Sequence, residues 1–125
     1  MAKKILVVDD EPDFLMMASL RLKKSGYDVV TATDGEKALN KLKETAPDLV
    51  LLDVKMPKLN GYEVFERMQK DQGLSKIPVI FSSADTSVDL ETKTTSLKAA
   101  GYLKKPFDGP TMLDMIMKHL TKTLP

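Results

Sequence analysis

Cysteine is missing from the chain, which removes disulfides, thiol nucleophiles and zinc–thiolate centres from consideration. That absence fits a reducing compartment. Charge of one dominant sign is missing too: 19 basic residues face 18 acidic ones and leave a formal charge of +1. Such balance gives no electrostatic reason to expect a nucleic acid or an anionic membrane surface as partner. Long apolar runs are also absent. The N-terminus offers only Ile5 to Val8 before Asp9, too few for a signal-peptide core, and nothing elsewhere approaches a membrane span. The expectation is a cytoplasmic protein with no membrane partner.

What is present suits one globular domain over residues 1–125. The chain is 42% hydrophobic and 30% charged. A domain of this size buries roughly two-thirds of its unfolded surface and needs no staple. No repeat, low-complexity stretch or linker interrupts it. Short apolar runs alternate with amphipathic segments. Ile5–Val8, Tyr27–Thr31, Asp48–Leu52, Ile77–Phe81 and Ala99–Leu103 are five candidate strands. The first, third and fourth are continuously apolar, the pattern of parallel strands covered on both faces. The second is more polar and reads as an edge strand.

Helical spacing fills the gaps. Phe14, Ala18 and Leu22 mark the first helix, Ala38 and Leu42 the second, and Val64, Phe65 and Met68 the third. Leu113, Ile116, Met117 and Leu120 mark the fifth. The fourth, from about Ser87 to Leu97, is rich in serine and threonine and weakly periodic. Thr33 with Glu36 and Asn60 with Glu63 have capping-box spacing, Asp108 precedes the last helix, and Gly26 closes the first. The eight methionines read as core filling, although Met16 and Met17 are adjacent and cannot both be buried with equal ease. His119, the single histidine, lies off the Leu113–Ile116–Leu120 stripe and is expected in solvent.

Strict strand–helix alternation implies an α/β sandwich around a parallel sheet, with ligands at the carboxyl ends of the strands. Those ends carry chemistry. Asp9, Asp10 and Glu11 follow the first strand, Asp53 the third, Ser82 and Ser83 the fourth, and Lys104, Lys105 and Pro106 the fifth. Two like charges about 4 Å apart repel by roughly 4 kcal/mol at an effective dielectric of 20, so gathered acids call for a cation. Hard carboxylate oxygens suit Mg²⁺. With a lysine and a hydroxyl added, the set matches phosphoryl transfer to an aspartate nucleophile. Taken singly, each residue has an ordinary reading: Asp9–Glu11 as helix caps, Asp53 as a turn residue, Ser82–Ser83 as loop, the lysines as a solvated edge. Their order at successive strand ends favours the site.

Four segments resemble the response-regulator receiver domains of two-component signalling, of the stand-alone, chemotaxis-type or single-domain kind. They are Ile5–Glu11, Asp53–Glu63, Pro78–Ala84 and Tyr102–Phe107, in the family's order, and the resemblance runs from Lys4 to about Leu120. It implies a flavodoxin-like doubly wound (βα)5 sandwich with parallel strand order 2-1-3-4-5. It implies Asp53 as phosphoacceptor, Asp10 as the main Mg²⁺ carboxylate with Asp9 in support, and the carbonyl of Lys55 in the metal shell. It implies Ser83 as the switching hydroxyl, Lys105 as the lysine that meets the phosphoryl group, a cis peptide before Pro106, and Tyr102 as the switching aromatic. The donor's histidine then belongs to another protein or domain, a histidine kinase or histidine phosphotransfer protein. The output is a downstream protein target or an attached output domain, and the chain is not an enzyme beyond its own phosphorylation and dephosphorylation. One departure stands out: many receivers have Gly-Ala before the fifth strand, and here the pair is Lys98-Ala99, which bears on the output face.

Rival readings fit less well. A haloacid-dehalogenase-type phosphatase wants an acid two residues after its nucleophile, where this chain has Lys55. A flavodoxin-like electron carrier wants a phosphate-binding loop after the first strand, where this chain has three acids. A module of the same fold that binds partners without phosphorylation is the remaining alternative. The five residues after the fifth helix leave no room for a helix-turn-helix.

Overall fold

The computed structural model describes residues 2–84 and 89–121. Ten elements alternate: β1 (Lys4–Val8), α1 (Pro12–Lys24), β2 (Asp28–Ala32), α2 (Gly35–Thr45), β3 (Leu49–Asp53), α3 (Gly61–Gln69), β4 (Val79–Ser83), α4 (Leu90–Leu97), β5 (Gly101–Lys104) and α5 (Gly109–Thr121). Every strand pair is parallel and the order is β2-β1-β3-β4-β5. The expected topology holds, with strand limits displaced by one or two residues. The apolar strands β1, β3 and β4 are interior, and the more polar β2 is an edge. The fourth helix begins at Leu90; its expected start near Ser87 lies outside the described residues. No described helix is long and apolar enough to cross a membrane.

Alternation along each strand feeds two cores. Leu6, Val50, Leu52 and Phe81 face α2, α3 and α4, where they meet Ala38, Leu42, Val64, Phe65, Met68 and Leu90. Ile5, Val7, Leu51 and Ile80 face α1 and α5, where they meet Leu15, Ala18, Leu22, Met112 and Ile116. Each fully buried Leu, Ile, Val or Met side chain stabilises by roughly 1.5–3 kcal/mol, so the two layers clamp the sheet from both sides.

Helix starts sit close to the strand ends and are capped. At α3, Asn60 Oδ1 accepts the Glu63 N–H (2.9 Å) and Glu63 Oε1 accepts the Asn60 N–H (3.0 Å), the expected capping box. Asp108 Oδ1 likewise accepts the Thr111 N–H (2.8 Å) at α5. At α2 the cap is Asp34, not Thr33: Asp34 Oδ1 accepts the Lys37 N–H at 2.8 Å. A carboxylate meets the positive end of the helix dipole with a full charge, which a threonine hydroxyl cannot offer.

Two further expectations are corrected. His119 is buried, 8% exposed. The cause lies on β5: a Cβ at Gly101 would come within 3.1 Å of His119 Nε2, so the imidazole fills space that the glycine leaves. The methionines divide rather than fill the core together. Met16, Met17 and Met117 are 66%, 42% and 54% exposed, while Met112 takes the buried place on α5.

Lys98 is the C-cap of α4 and adopts φ 61°, in the left-handed region. Its N–H donates to the carbonyls of Thr94 and Thr95, closing the helix. A non-glycine residue there costs roughly 1–2 kcal/mol, partly offset by glycine's greater freedom when unfolded. Lys98→Gly should therefore stabilise the protein by about 0.5–1 kcal/mol and raise its thermal midpoint by a few degrees. A midpoint that stays put or falls in calorimetry would contradict this account of the cap.

Candidate functional site

The sheet's hydrogen bonding continues past the strand ends. The Asp9 N–H donates to the Ala32 carbonyl (3.1 Å), that of Val54 to Ser82 (2.9 Å) and that of Lys105 to Ser83 (2.9 Å). The loops thus leave the sheet in set directions and bring Asp9, Asp10, Asp53 and Lys105 together. One carboxylate oxygen from each of the three aspartates lies within 4.8 Å of the others. Asp9 is fully buried and Asp53 nearly so, while Asp10 is exposed.

Asp9 is engaged on both oxygens: Oδ1 accepts the Glu11 N–H (2.9 Å) and Oδ2 the Lys105 ammonium (2.5 Å). The same ammonium stands 3.8 Å from Asp53 Oδ1 and 3.8 Å from Glu11 Oε1. The ordinary capping reading of these acids fails, because Glu11 occupies the N-cap of α1 without a side-chain capping bond. With every group ionised, four carboxylates less one ammonium leave three excess negative charges. Asp53 relieves this by holding its proton. Its pKa is raised from 3.8 to about 7, first by burial and next by the charge of Asp9, with Asp10 and Glu11 adding and Lys105 opposing.

The site opens to solvent as a pocket of about 360 Å³ lined by Asp10, Glu11, Asp53, Lys55, Ala84 and Lys105. Lys55, two residues past Asp53, forms an exposed part of its wall. Ser83 ends β4, buried, one residue beyond the Ser82 that pairs in register with Asp53. By strand alternation it shares a sheet face with Phe81, whose register partner is Tyr102. Tyr102 is half-buried against that same core. The Lys105–Pro106 peptide is cis. All the residues singled out from sequence therefore lie at or next to one edge of the sheet.

Two participants were not legible as such. Glu11 is a third acid beside Lys105, hidden by its ordinary place before a helix. Phe14, placed on the buried stripe of α1, has its ring 4.3 Å from the Lys105 ammonium. No spacing rule links positions 14 and 105, so only the folded chain reveals the contact.

A doubly wound parallel sheet whose carboxyl edge gathers three aspartates and a lysine is the frame of a signalling receiver, and comparison with known proteins agrees. The family described as response regulator receiver domain matches residues 5–117. The chain is 41% identical over 107 residues to the alkaline phosphatase synthesis transcriptional regulatory protein PhoP of Bacillus subtilis, covering 86% of this chain and 44% of that protein. It is 33% identical over 122 residues to protein PilG of Pseudomonas aeruginosa, covering 98% and 90%. The solved structure of chemotaxis response regulator CheY4 of Vibrio cholerae superposes with a TM-score of 0.83 at 30% identity, over 99% of this chain and 100% of that one. The chain belongs to the response regulator receiver domain family. It spans about half the length of the first curated relatives it matches. PhoP is named a transcriptional regulator. The expectation of no nucleic-acid partner therefore reaches no further than these 125 residues.

Asp53 is held by a close approach of backbone to backbone. The Gly61 N–H donates to the Val54 carbonyl (2.8 Å). A Cβ at Gly61 would run into the Asp53 carbonyl oxygen and reach 2.9 Å from Val54 Cα. Gly61→Ala should therefore push α3 off the end of β3 and destabilise by about 1–3 kcal/mol. A urea midpoint equal to that of the wild type would count against this contact as the constraint on Asp53.

The raised pKa has a sign for stability. Between about pH 4 and 7 the native state binds more protons at Asp53 than the unfolded chain, whose value is near 3.8, so stability falls as pH rises. Below that window both states hold the proton; above it neither does and the loss is complete. Without divalent cations, Asp53→Asn should be the more stable protein at pH 8, by up to about 4 kcal/mol at roughly 1.4 kcal/mol per pKa unit. The gap should close towards pH 4. Urea titrations of both proteins in chelator at several pH values check this, and a wild type more stable at pH 8 would refute it.

Proposed function

We propose that the chain is a phosphorylation-operated switch whose Asp53 accepts a phosphoryl group from the phosphohistidine of a histidine kinase or histidine phosphotransfer protein. The observation that carries this reading is the cluster of Asp9, Asp10 and Asp53 oxygens set against one lysine ammonium. In the transfer, an Asp53 carboxylate oxygen bonds to phosphorus as the donor's P–N bond breaks. The electron pair leaves on the imidazole nitrogen, which takes up a proton from solvent. An acyl phosphate on Asp53 results.

The donor set fits Mg²⁺: Asp10, Asp9, Asp53 and the carbonyl of Lys55 are hard oxygens at an open pocket, with room for water and a phosphoryl oxygen. When bound, the ion supplies charge neutralisation at the carboxylates and at the phosphoryl oxygens. The protein's own residues do the rest. Asp53 must be ionised to attack, and its raised pKa makes compensating positive charge a condition of reaction near neutral pH. Lys105, already 3.8 Å from Asp53 Oδ1, is placed to meet a phosphoryl oxygen, and Ser83 supplies a hydroxyl from the next strand.

Output follows from charge. A phosphoryl group near −2 with three acceptor oxygens draws Ser83 and Lys105 towards it. Tyr102, on the sheet face that Ser83 shares, then turns further inward, and α4, β5 and α5 present an altered surface to a protein target or output domain. In this reading the chain catalyses only its own phosphorylation and dephosphorylation, and works in the cytoplasm with its donor.

Incubation with Mg²⁺ and acetyl phosphate should add one phosphoryl group by intact mass. None should appear in chelator or in Asp53→Asn. Folded protein that gains no mass with several donors would instead favour a module that binds partners without phosphorylation.

A further inference from the structure

Besides its acids, the Lys105 ammonium meets an aromatic ring. It lies 4.3 Å from the centroid of Phe14, within the range of a cation–π contact. Phe14 stands in the first turn of α1, which follows the Asp9–Glu11 loop directly. Its ring is braced by Phe107, edge to face, at 5.8 Å and 84°. Phe107 is two residues past Lys105, so the aromatic pair joins both segments that build the site. The lysine side chain is only 12% exposed.

We propose that Phe14 is a positioning residue for Lys105, its ring face holding the ammonium in the pocket while it shifts from Asp9 towards a phosphoryl group on Asp53. This role rests on Asp53 as the acceptor. A lysine has a flexible four-carbon stem, and confining it is costly in rotamer freedom. Of the three acids around it, only Asp9 lies at hydrogen-bond distance. The hydrogen bond to Asp9 is directional and weakens as the ammonium moves. Asp9 is also one of the three carboxylates available to a divalent cation, so its hold on the lysine is shared. The attraction of a ring face is broad, and the ammonium can travel across it without leaving it. The ring also covers one side of the lysine from water, which keeps its charge effective at short range.

A purely structural Phe14 would pack against the α1–α5 core and no more, and four measurements on the protein separate the two roles. The rate of Asp53 labelling by acetyl phosphate with Mg²⁺ should fall roughly three- to thirty-fold in Phe14→Leu, the span of a partly desolvated cation–π contact, and should be nearly restored in Phe14→Tyr. Replacing Phe14 by 3,4,5-trifluorophenylalanine, which keeps the shape but weakens the ring face, should slow labelling too, and covers the case in which Phe14→Leu folds poorly. In a Lys105→Met background, Phe14→Leu should have no further effect. In metal-free protein, the Lys105 ε-methylene protons should be shifted upfield by the ring current, and the shift should vanish in Phe14→Leu.

Equal labelling rates for wild type and the trifluoro variant would overturn the proposal, as would an undiminished effect of Phe14→Leu in the Lys105→Met background. A wild type that takes no phosphoryl group would sink the acceptor reading and this role with it. The ring-current shift would then report packing alone.

Discussion

Two buried carboxylates side by side are the constraint around which this domain is organised. Asp9 and Asp53 sit at the ends of neighbouring strands, almost without solvent, and one ammonium serves both. Isolated buried charge costs several kcal/mol per ion, and like charges at short range add to it. The fold meets that cost unequally. Asp9 receives a backbone N–H and the lysine and is satisfied, whereas Asp53 is left to hold a proton up to about pH 7. Of these two buried acids Asp53 is thus the one with fewer partners, and additional positive charge has most to gain there.

The rest of the structure keeps those groups from drifting apart. Interior strands covered on both faces hold the ends of β1 and β3 in register, with Val8 opposite Leu52. The N–H of Val54 prolongs the sheet beyond Asp53, and the N–H of Gly61 returns α3 to the same loop. Lys105 is tied to Ser83 through its own backbone N–H, so the residues expected to move together are joined by main chain before any side chain acts. Hydrophobic layers cover both faces of the sheet; the polar edge is where the sheet leaves its electrostatics unfinished.

Most of this was legible in the sequence, for physical reasons. Unbroken apolar runs mark strands buried on both faces, so Ile5–Val8 and the third and fourth runs predicted the interior of the sheet and, with it, the edge where ligands meet. Asp9, Asp10, Asp53 and Ser83 come within two residues of the ends of those runs, Lys105 likewise after the fifth, and all could be placed without side-chain geometry. What escaped depends on contacts between distant positions. His119 is buried because Gly101 on β5 lacks a side chain, a vacancy that periodicity on α5 cannot register. Asp34 displaced Thr33 as the α2 cap because competing caps one residue apart are separated by charge, not by spacing. Phe14 was assigned to the core by its helical period, yet its position on the stripe says nothing about a lysine ninety-one residues away (105 − 14).

The misses at the site itself, Glu11 and Phe14, have a common reason. Local rules describe residues that satisfy one demand, burial or capping or turn formation, and residues at the carboxyl edge satisfy two. Glu11 occupies an N-cap position but turns its charge to Lys105. Phe14 covers the α1 side of the sheet and also carries an ammonium on its ring. The lysine can therefore be held by two forces of different kind, a short ionic bond to Asp9 and a broad attraction to the ring. New negative charge on Asp53 would compete with the ionic bond and leave the ring contact in place. A cation with one exchangeable and one persistent partner can change allegiance without leaving the site, which is what a switch operated by local charge requires.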